Sequence, residues 1–69
     1  MDKEFYIIKR TPCEYDKLPQ YYEGPDGGFT RTLSKVYIFD DLERAITYKQ
    51  ALKNVLKDST YYNYSIMRM

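Results

Sequence analysis

The sequence has no histidine, no tryptophan and a single cysteine, Cys13, and these absences exclude several kinds of chemistry. Histidine is the commonest general base near neutral pH, so its absence argues against acid–base catalysis. Zinc sites need clustered cysteine and histidine ligands, and one cysteine cannot form an internal disulfide. Cys13 also lies beside Glu14, whose negative charge disfavours a reactive thiolate. We therefore expect a protein that is not an enzyme and has no catalytic residues, metal site or cofactor.

The sequence also lacks an excess of charge of one sign and a long apolar run. Its eleven basic and ten acidic residues are interspersed, and the net charge of +1 attracts phosphate only weakly. No apolar run is long enough to cross a membrane, and the N-terminal MDKEFYIIKR does not resemble a secretory signal. We expect one domain over residues 1–69, located in the cytoplasm and not associated with a membrane.

Short stretches rich in β-branched and aromatic residues predict strands. The predicted strands are residues 4–10, 20–23, 29–31, 36–39 and 61–68. Residues 11–19 (TPCEYDKLP), with two prolines, are typical of an irregular loop, and residues 32–35 (TLSK) of one helical turn.

Three glycines and a proline lie between the second and third predicted strands, at residues 24–28 (GPDGG). A phosphate-binding P-loop needs a lysine before its threonine, and here Phe29 occupies that position before Thr30. A dinucleotide-binding loop leads from a strand into a helix, whereas this one leads from strand to strand. Proline, aspartate and glycine are the residues that a tight turn requires, so the segment predicts a hairpin bend.

One amphipathic helix is predicted from the aspartates at 40 and 41 to about residues 57–59. Asp40 with Glu43 fits a capping box, in which Asp40 is the N-cap. A helical period puts one apolar side toward the core: Leu42, Ala45, Tyr48, Leu52, Val55 and Leu56. We predict an α+β fold in which a small antiparallel sheet of three to five strands carries this helix on one face, in the order β-β-β-β-α-β.

The alternation of the strands predicts which side chains meet the helix. The expected core set comprises Phe5, Ile7, Tyr62, Tyr64 and Ile66. The expected outward set comprises Tyr6, Ile8, Tyr61 and Met67. Because no second layer remains to cover that outward face, it is predicted to be a bare, tyrosine-rich surface that binds a partner.

Nine tyrosines contribute most of the aromatic content, and tyrosine and arginine are favoured in binding sites. The predicted partner-binding residues are Tyr6, Tyr61 and Met67 on the sheet, with Tyr22 and Arg31 on the hairpin. Tyr21 and Tyr22 must face opposite ways, so one is core and the other exposed.

Nearly the whole chain resembles a known sequence pattern. The resemblance lies in the segments FYIIK, YYEGPDGGFTRTLSKVYIFDDLERAITY and YSIMRM. They resemble small proteins of phages and mobile elements of Gram-positive bacteria, which carry YxIK, GGFTxxLSKAxxF, a helix and a YxI strand. The chain departs from this pattern at Val36 and in the TPCEYDKLP loop. The resemblance carries over no catalytic or binding residues. It implies a setting in which small proteins bind and block host proteins.

Three functions remain open at this point. The first is a phage-type protein that binds and occludes a host protein, as an anti-CRISPR or anti-restriction inhibitor does. The second is a nucleic-acid or nucleotide binder that uses the tyrosines of the sheet face. The third is a small structural protein that forms a homodimer through the bare sheet face.

Overall fold

The computed structural model describes residues 4–14, 17–25 and 28–69. Its elements are β1 (Tyr6–Pro12), β2 (Gln20–Gly24), β3 (Gly28–Thr30), a 3₁₀ turn (Leu33–Lys35), α1 (Leu42–Leu56) and β4 (Tyr62–Arg68). The strands form one antiparallel sheet in the order β3-β2-β1-β4, and α1 packs on one face against β1 and β4. The predicted α+β class is confirmed, as is the helical turn before α1.

Strand β1 extends beyond its predicted end into the segment that was expected to be a loop. Thr11 pairs with Asn63 and Pro12 with Tyr62, so long-range pairing with β4 overrides the local proline signal. Cys13 donates its backbone N–H to the Tyr61 carbonyl at 2.8 Å, so odd-numbered residues of β1 point their backbone groups at β4. Pro12 points the other way, and its missing N–H costs no hydrogen bond in this ladder.

The segment predicted as a strand at residues 36–39 forms a bridge rather than a full strand. Tyr6 and Phe39 exchange two backbone hydrogen bonds of 2.8 Å, and Tyr37 donates its N–H to the Tyr22 carbonyl at 2.8 Å. The segment thus joins the ends of β1 and β2, and it is too short to add a fifth strand.

The hairpin between β2 and β3 is confirmed at both of its described glycines. Gly24 has φ +117° and Gly28 has φ +73°, conformations that L side chains rarely adopt. A Cβ on Gly24 would lie 3.3 Å from Cδ2 of Tyr37, so the backbone packs closely there. Asp26 and Gly27 of the predicted turn lie outside the described residues.

The N-cap of helix α1 lies one residue later than predicted. Asp41, not Asp40, is the N-cap, and its carboxylate accepts the Glu43 N–H at 3.0 Å. At the other end Lys57 adopts a left-handed conformation (φ 53°, ψ 37°) and donates its N–H to the Lys53 carbonyl at 3.0 Å. Left-handed closure at this position is a common way for helices to end.

The prediction of which β1 side chains face the helix is wrong. Ile8 belongs to the buried core with Tyr22, Phe39 and Ala45, and Tyr6 packs against it. The partners in β4 decide the face, because Ile8 lies opposite Ile66 and Ile7 lies opposite Met67. A strand that is apolar on both faces contains no alternation from which the inward face can be read. Of the three β4 residues assigned to the core, Tyr64 and Ile66 pack against it, whereas Tyr62 lies against the Arg10 guanidinium.

The predicted apolar face of α1 is confirmed at the centre of the helix, but the prediction is wrong at the end of the helix. Ala45 is fully buried, and Tyr48 and Leu52 pack against the core. Val55 is 77% exposed. Leu42 and Leu56 are also largely exposed.

Candidate functional site

Tyr22, predicted to contact a partner, lies in the core. Only 5% of it is exposed. Its ring contacts four others at centroid distances from 5.8 to 6.5 Å: Phe29, Tyr37, Phe39 and Tyr48. Strand alternation therefore puts Tyr21, not Tyr22, on the outer face, and Tyr22 is not accessible to a partner in this fold.

Tyr6 also turns toward the helix rather than away from it. Its ring packs against the core, and its hydroxyl donates to Glu4 Oε2 at 2.8 Å. This hydrogen bond raises the pKa of the Tyr6 phenol above its usual value. Glu4 also accepts from Arg68 Nη1 at 3.0 Å, in an exposed ion pair. Tyr6 therefore contributes to packing, and its hydroxyl forms an exposed hydrogen bond.

Met67 does lie on the sheet face away from the helix, as predicted. It is half-buried opposite Ile7, and beside it Phe5 accepts the Met69 N–H at 2.8 Å. Phe5 and Met69 remain 40% and 58% exposed, while Ile7 is fully buried. The outward positions farther along β1 and β4 are polar: Lys9, Thr11, Asn63 and Ser65. The outer face is thus apolar only at one end.

Arg31 and Tyr61, predicted separately from the hairpin and the last strand, line the same depression. We call it the sheet-end depression; its volume is about 590 Å³. It is lined by Pro12, Cys13, Glu14, Lys17, Gln20, Arg31, Thr60, Tyr61 and Tyr62. Tyr61 is held there by its carbonyl, which accepts the Cys13 N–H, and its ring is 69% exposed. The fold thus brings together two of the five predicted residues.

The lining combines positive charge with aromatic surface. Lys17 and Arg31 are cationic, Glu14 is the acidic side chain, and Tyr61 and Tyr62 supply rings. Such a surface can pack against apolar groups and bind carboxylates or phosphates at the same time.

A part-buried arginine supports this depression from the helix side of the sheet. Arg10 donates from Nε to Gln20 Oε1 at 2.7 Å and from Nη1 to Asp58 Oδ2 at 3.2 Å. Its guanidinium carbon lies 3.8 Å from the Phe29 ring centroid and 4.2 Å from that of Tyr62. We call Arg10 and these four partners the Arg10 cluster. Because Gln20 and Tyr62 also line the depression, the cluster holds part of its wall in place.

Tyr64 extends the Arg10 cluster toward the core. Its hydroxyl donates to Asp58 Oδ1 at 2.7 Å, so both carboxylate oxygens of Asp58 are hydrogen-bonded. Burial raises the pKa of the Tyr64 phenol above its usual value; the bond to Asp58 adds to this increase and Arg10 opposes it.

The sequence interpretation missed Arg10, Gln20 and Asp58. A signal was present for Arg10, which shares its strand face with Tyr6 and Ile8 and therefore points toward the helix layer. An arginine on a core-facing position requires an acidic partner, and the first acid after α1 is Asp58. The prediction that the opposite face of β1 forms the core excludes this inference.

In the described part of the chain, no group of three or more cysteine and acidic side chains is placed to hold a metal ion. None of the helices there is long and apolar enough to span a lipid bilayer.

The fold defines a small α+β domain with one helix on an antiparallel sheet. Comparison with protein-family models, curated proteins and solved structures found no match. The resemblance to phage and mobile-element proteins therefore stays an expectation from the sequence.

Proposed function

We propose that this protein is a non-enzymatic binding protein that occludes a surface of a partner protein through the sheet-end depression. In the setting that the sequence resemblance implies, the partner is a host protein, such as a component of host defence. The observation that carries the proposal is the convergence of Arg31 and Tyr61, from distant parts of the chain, on one concave surface. Tyrosine and arginine dominate the binding energy of many protein interfaces.

The Arg10 cluster favours this surface because it fixes part of the depression in advance. Tyr62 is held against the Arg10 guanidinium, and Gln20 by a 2.7 Å hydrogen bond. A preformed wall loses less conformational entropy on binding than a mobile one. Tyr61 can then add a large exposed ring at little further cost, since a tyrosine has only two side-chain torsions.

Affinity capture with matched variants tests the proposal. The tagged protein is used to capture partners from lysates of candidate Gram-positive hosts, beside Tyr61→Ser and Arg31→Ser variants and a Val55→Ser control. Val55 is 77% exposed on the helix and is not among the residues that line the depression, so its change removes an exposed apolar group outside the site. We expect a stoichiometric protein that is captured by the wild type and the control and lost with both site variants.

Two results would contradict the proposal. One is that no protein is captured in stoichiometric amount. The other is that capture depends on Val55 and not on Tyr61 or Arg31, which would place the contact on the helix. Circular dichroism of each variant confirms that loss of capture is not loss of folding.

The two cations beside exposed aromatic surface favour a second candidate function, the binding of a nucleotide or a single-stranded nucleic acid. The tyrosines expected to form a stacking platform, Tyr6 and Tyr22, pack inward, so stacking would fall to Tyr61. Two phosphate contacts predict that log K for a single strand falls with log salt with a slope of about −1.4. Arg31→Ser should reduce that slope to about −0.7. Binding to a short oligonucleotide that is independent of salt, or absent, would reject this candidate.

A further inference from the structure

The outer edge of β4 carries unused backbone hydrogen-bonding groups. Residues that point toward β1 are odd-numbered, as the bonds from Cys13 to Tyr61 and from Met69 to Phe5 show. Even-numbered residues of an antiparallel strand then point their N–H and C=O groups the other way. Within the described residues, only the Tyr62 N–H on that edge has a backbone partner, the Asp58 carbonyl at 3.0 Å. The N–H and C=O groups of Tyr64, Ile66 and Arg68 face outward.

This edge lacks the features that usually prevent strands from pairing. Proteins block exposed edges with prolines, lysines, bulges or short strands. Strand β4 is seven residues long, pairs with β1 without a register shift, and has no charge before Arg68 at its end. The other edge of the sheet, β3, has only three residues and a bulge-like shift against β2. The two edges are therefore unequal, and β4 is the one able to accept another strand.

We propose that β4 pairs with β4 of a second copy of this chain, antiparallel about a two-fold axis at Ser65. In this register Tyr64 lies opposite Ile66 of the second copy, and Tyr62 lies opposite its Arg68. All of these are even-numbered, so the outward N–H and C=O groups of one edge meet those of the other. The two four-stranded sheets then form one continuous sheet of eight strands.

The side chains of β4, like its backbone groups, are compatible with pairing to a second copy. On the helix face, Tyr62, Tyr64 and Ile66 are each half-buried in the single chain. In the pair, Tyr64 of each copy meets Ile66 of the other. Arg68 meets the Tyr62 ring, a favourable cation–aromatic contact. No like charges lie directly opposite each other, and such charges would destabilise the pairing. In the same register Tyr61 lies opposite Met69 of the second copy, just beyond the paired strands.

A charge placed on the two-fold axis tests the register. Ser65 is exposed and lies opposite Lys9 within one chain, so Ser65→Glu should be well tolerated by the fold. In the pair, the two introduced carboxylates face each other across a non-hydrogen-bonded site, where Cα atoms are about 4.5 Å apart. We expect the dimer dissociation constant, measured by sedimentation equilibrium at low salt, to rise at least roughly fivefold.

The matched control is Asn63→Glu, the same charge on the same face of the same strand. Asn63 would lie opposite Met67 of the second copy, away from any like charge, so this variant should dimerise as the wild type does. Mixing Ser65→Glu with Ser65→Lys should restore a dimer, because the introduced charges then attract. A protein that stays monomeric at millimolar concentration would overturn the proposal, as would a dimer equally sensitive, or insensitive, to both glutamate variants.

Hydrogen exchange supplies a readout that does not depend on substitution. The amides of Tyr64 and Ile66 should exchange more slowly as the protein concentration rises, whereas those of Ser65 and Met67, already bonded to β1, should not change. A dimer in which the Tyr64 and Ile66 amides exchange at the monomer rate uses another surface, and that result would also overturn the proposal.

Discussion

Replacing Arg10 with alanine should remove the strongest polar contribution to the stability of this domain. The Arg10 and Asp58 side chains are only 16% and 19% exposed, so their ion pair is poorly screened by solvent. The same guanidinium lies between the rings of Phe29 and Tyr62 and holds Gln20. Alanine would leave Asp58 part-buried with the Tyr64 hydroxyl as its remaining side-chain partner.

The magnitude follows from these contacts. Losing a hydrogen bond to a charged group costs about 1.5–3 kcal/mol. Two cation–aromatic contacts contribute about 0.5–1 kcal/mol each. Releasing the long arginine side chain returns roughly 1.5–2 kcal/mol of rotamer entropy. The net loss is about 2 kcal/mol, a large part of the roughly 3–10 kcal/mol expected for a chain of 69 residues.

Chemical denaturation and thermal melting measure this loss against a matched control. For a domain of this size, 2 kcal/mol corresponds to a decrease in Tm of roughly 8–16 °C. Arg68→Ala removes a second arginine–carboxylate pair among the described residues, in which Arg68 and Glu4 are 66% and 51% exposed. Exposed pairs contribute about 0–1 kcal/mol, so the control should change Tm by only a few degrees.

Arg10→Lys separates charge from shape. Lysine can still approach Asp58, but it has neither the forked donors of a guanidinium nor the planar group that stacks between Phe29 and Tyr62. The stability of Arg10→Lys should therefore lie between those of the wild type and Arg10→Ala. The reasoning is refuted if Arg10→Ala and Arg68→Ala lower the free energy of unfolding equally. It is also refuted if Arg10→Lys is as stable as the wild type, since the rings would then contribute nothing.

Three further predictions concern other parts of the fold. Because the folded-state pKa of Tyr64 is raised, its contribution to stability is complete below about pH 10 and is lost as the pH rises further. Urea titrations from pH 8 to 12 should therefore show that the free energy of unfolding falls less with rising pH in Tyr64→Phe than in the wild type. Gly24→Ala should lower the free energy of unfolding by about 1–3 kcal/mol, and by more than Gly28→Ala does, because only at Gly24 does the new Cβ also meet Tyr37. Equal losses for the two variants would mean that backbone strain alone determines the cost. Lys57→Gly should raise stability by about 0.5 kcal/mol in thermal melts by relieving a left-handed backbone, and a loss of stability would show that the lysine side chain matters more.

Much of the fold follows from local sequence signals. The hairpin, the 3₁₀ turn, the helix and the last strand each carry turn residues, a cap or a clear period, and the structure has all of them. The errors of one residue at the helix cap and two at the end of β1 arise where neighbours compete, as with Asp40 and Asp41. Of the residues predicted from residue type to bind a partner, Arg31 and Tyr61 line one depression, whereas Tyr22 is buried in the core.

The amino-acid composition and the periodicity of the apolar residues by themselves determined the fold class, a small α+β domain. The sequence has no histidine and many tyrosines. They did not determine which face of β1 packs against the helix, because Phe5 and Ile7 make one face of the strand apolar and Tyr6 and Ile8 the other. Only pairing with β4 decided that Ile8 and Arg10 face the helix, and this register also assembled the Arg10 cluster and the depression beside it. The physical reason is that the burial of Ile8 and Arg10 depends on their partners in β4, Ile66 and Tyr64, which lie 58 and 54 residues away in the chain.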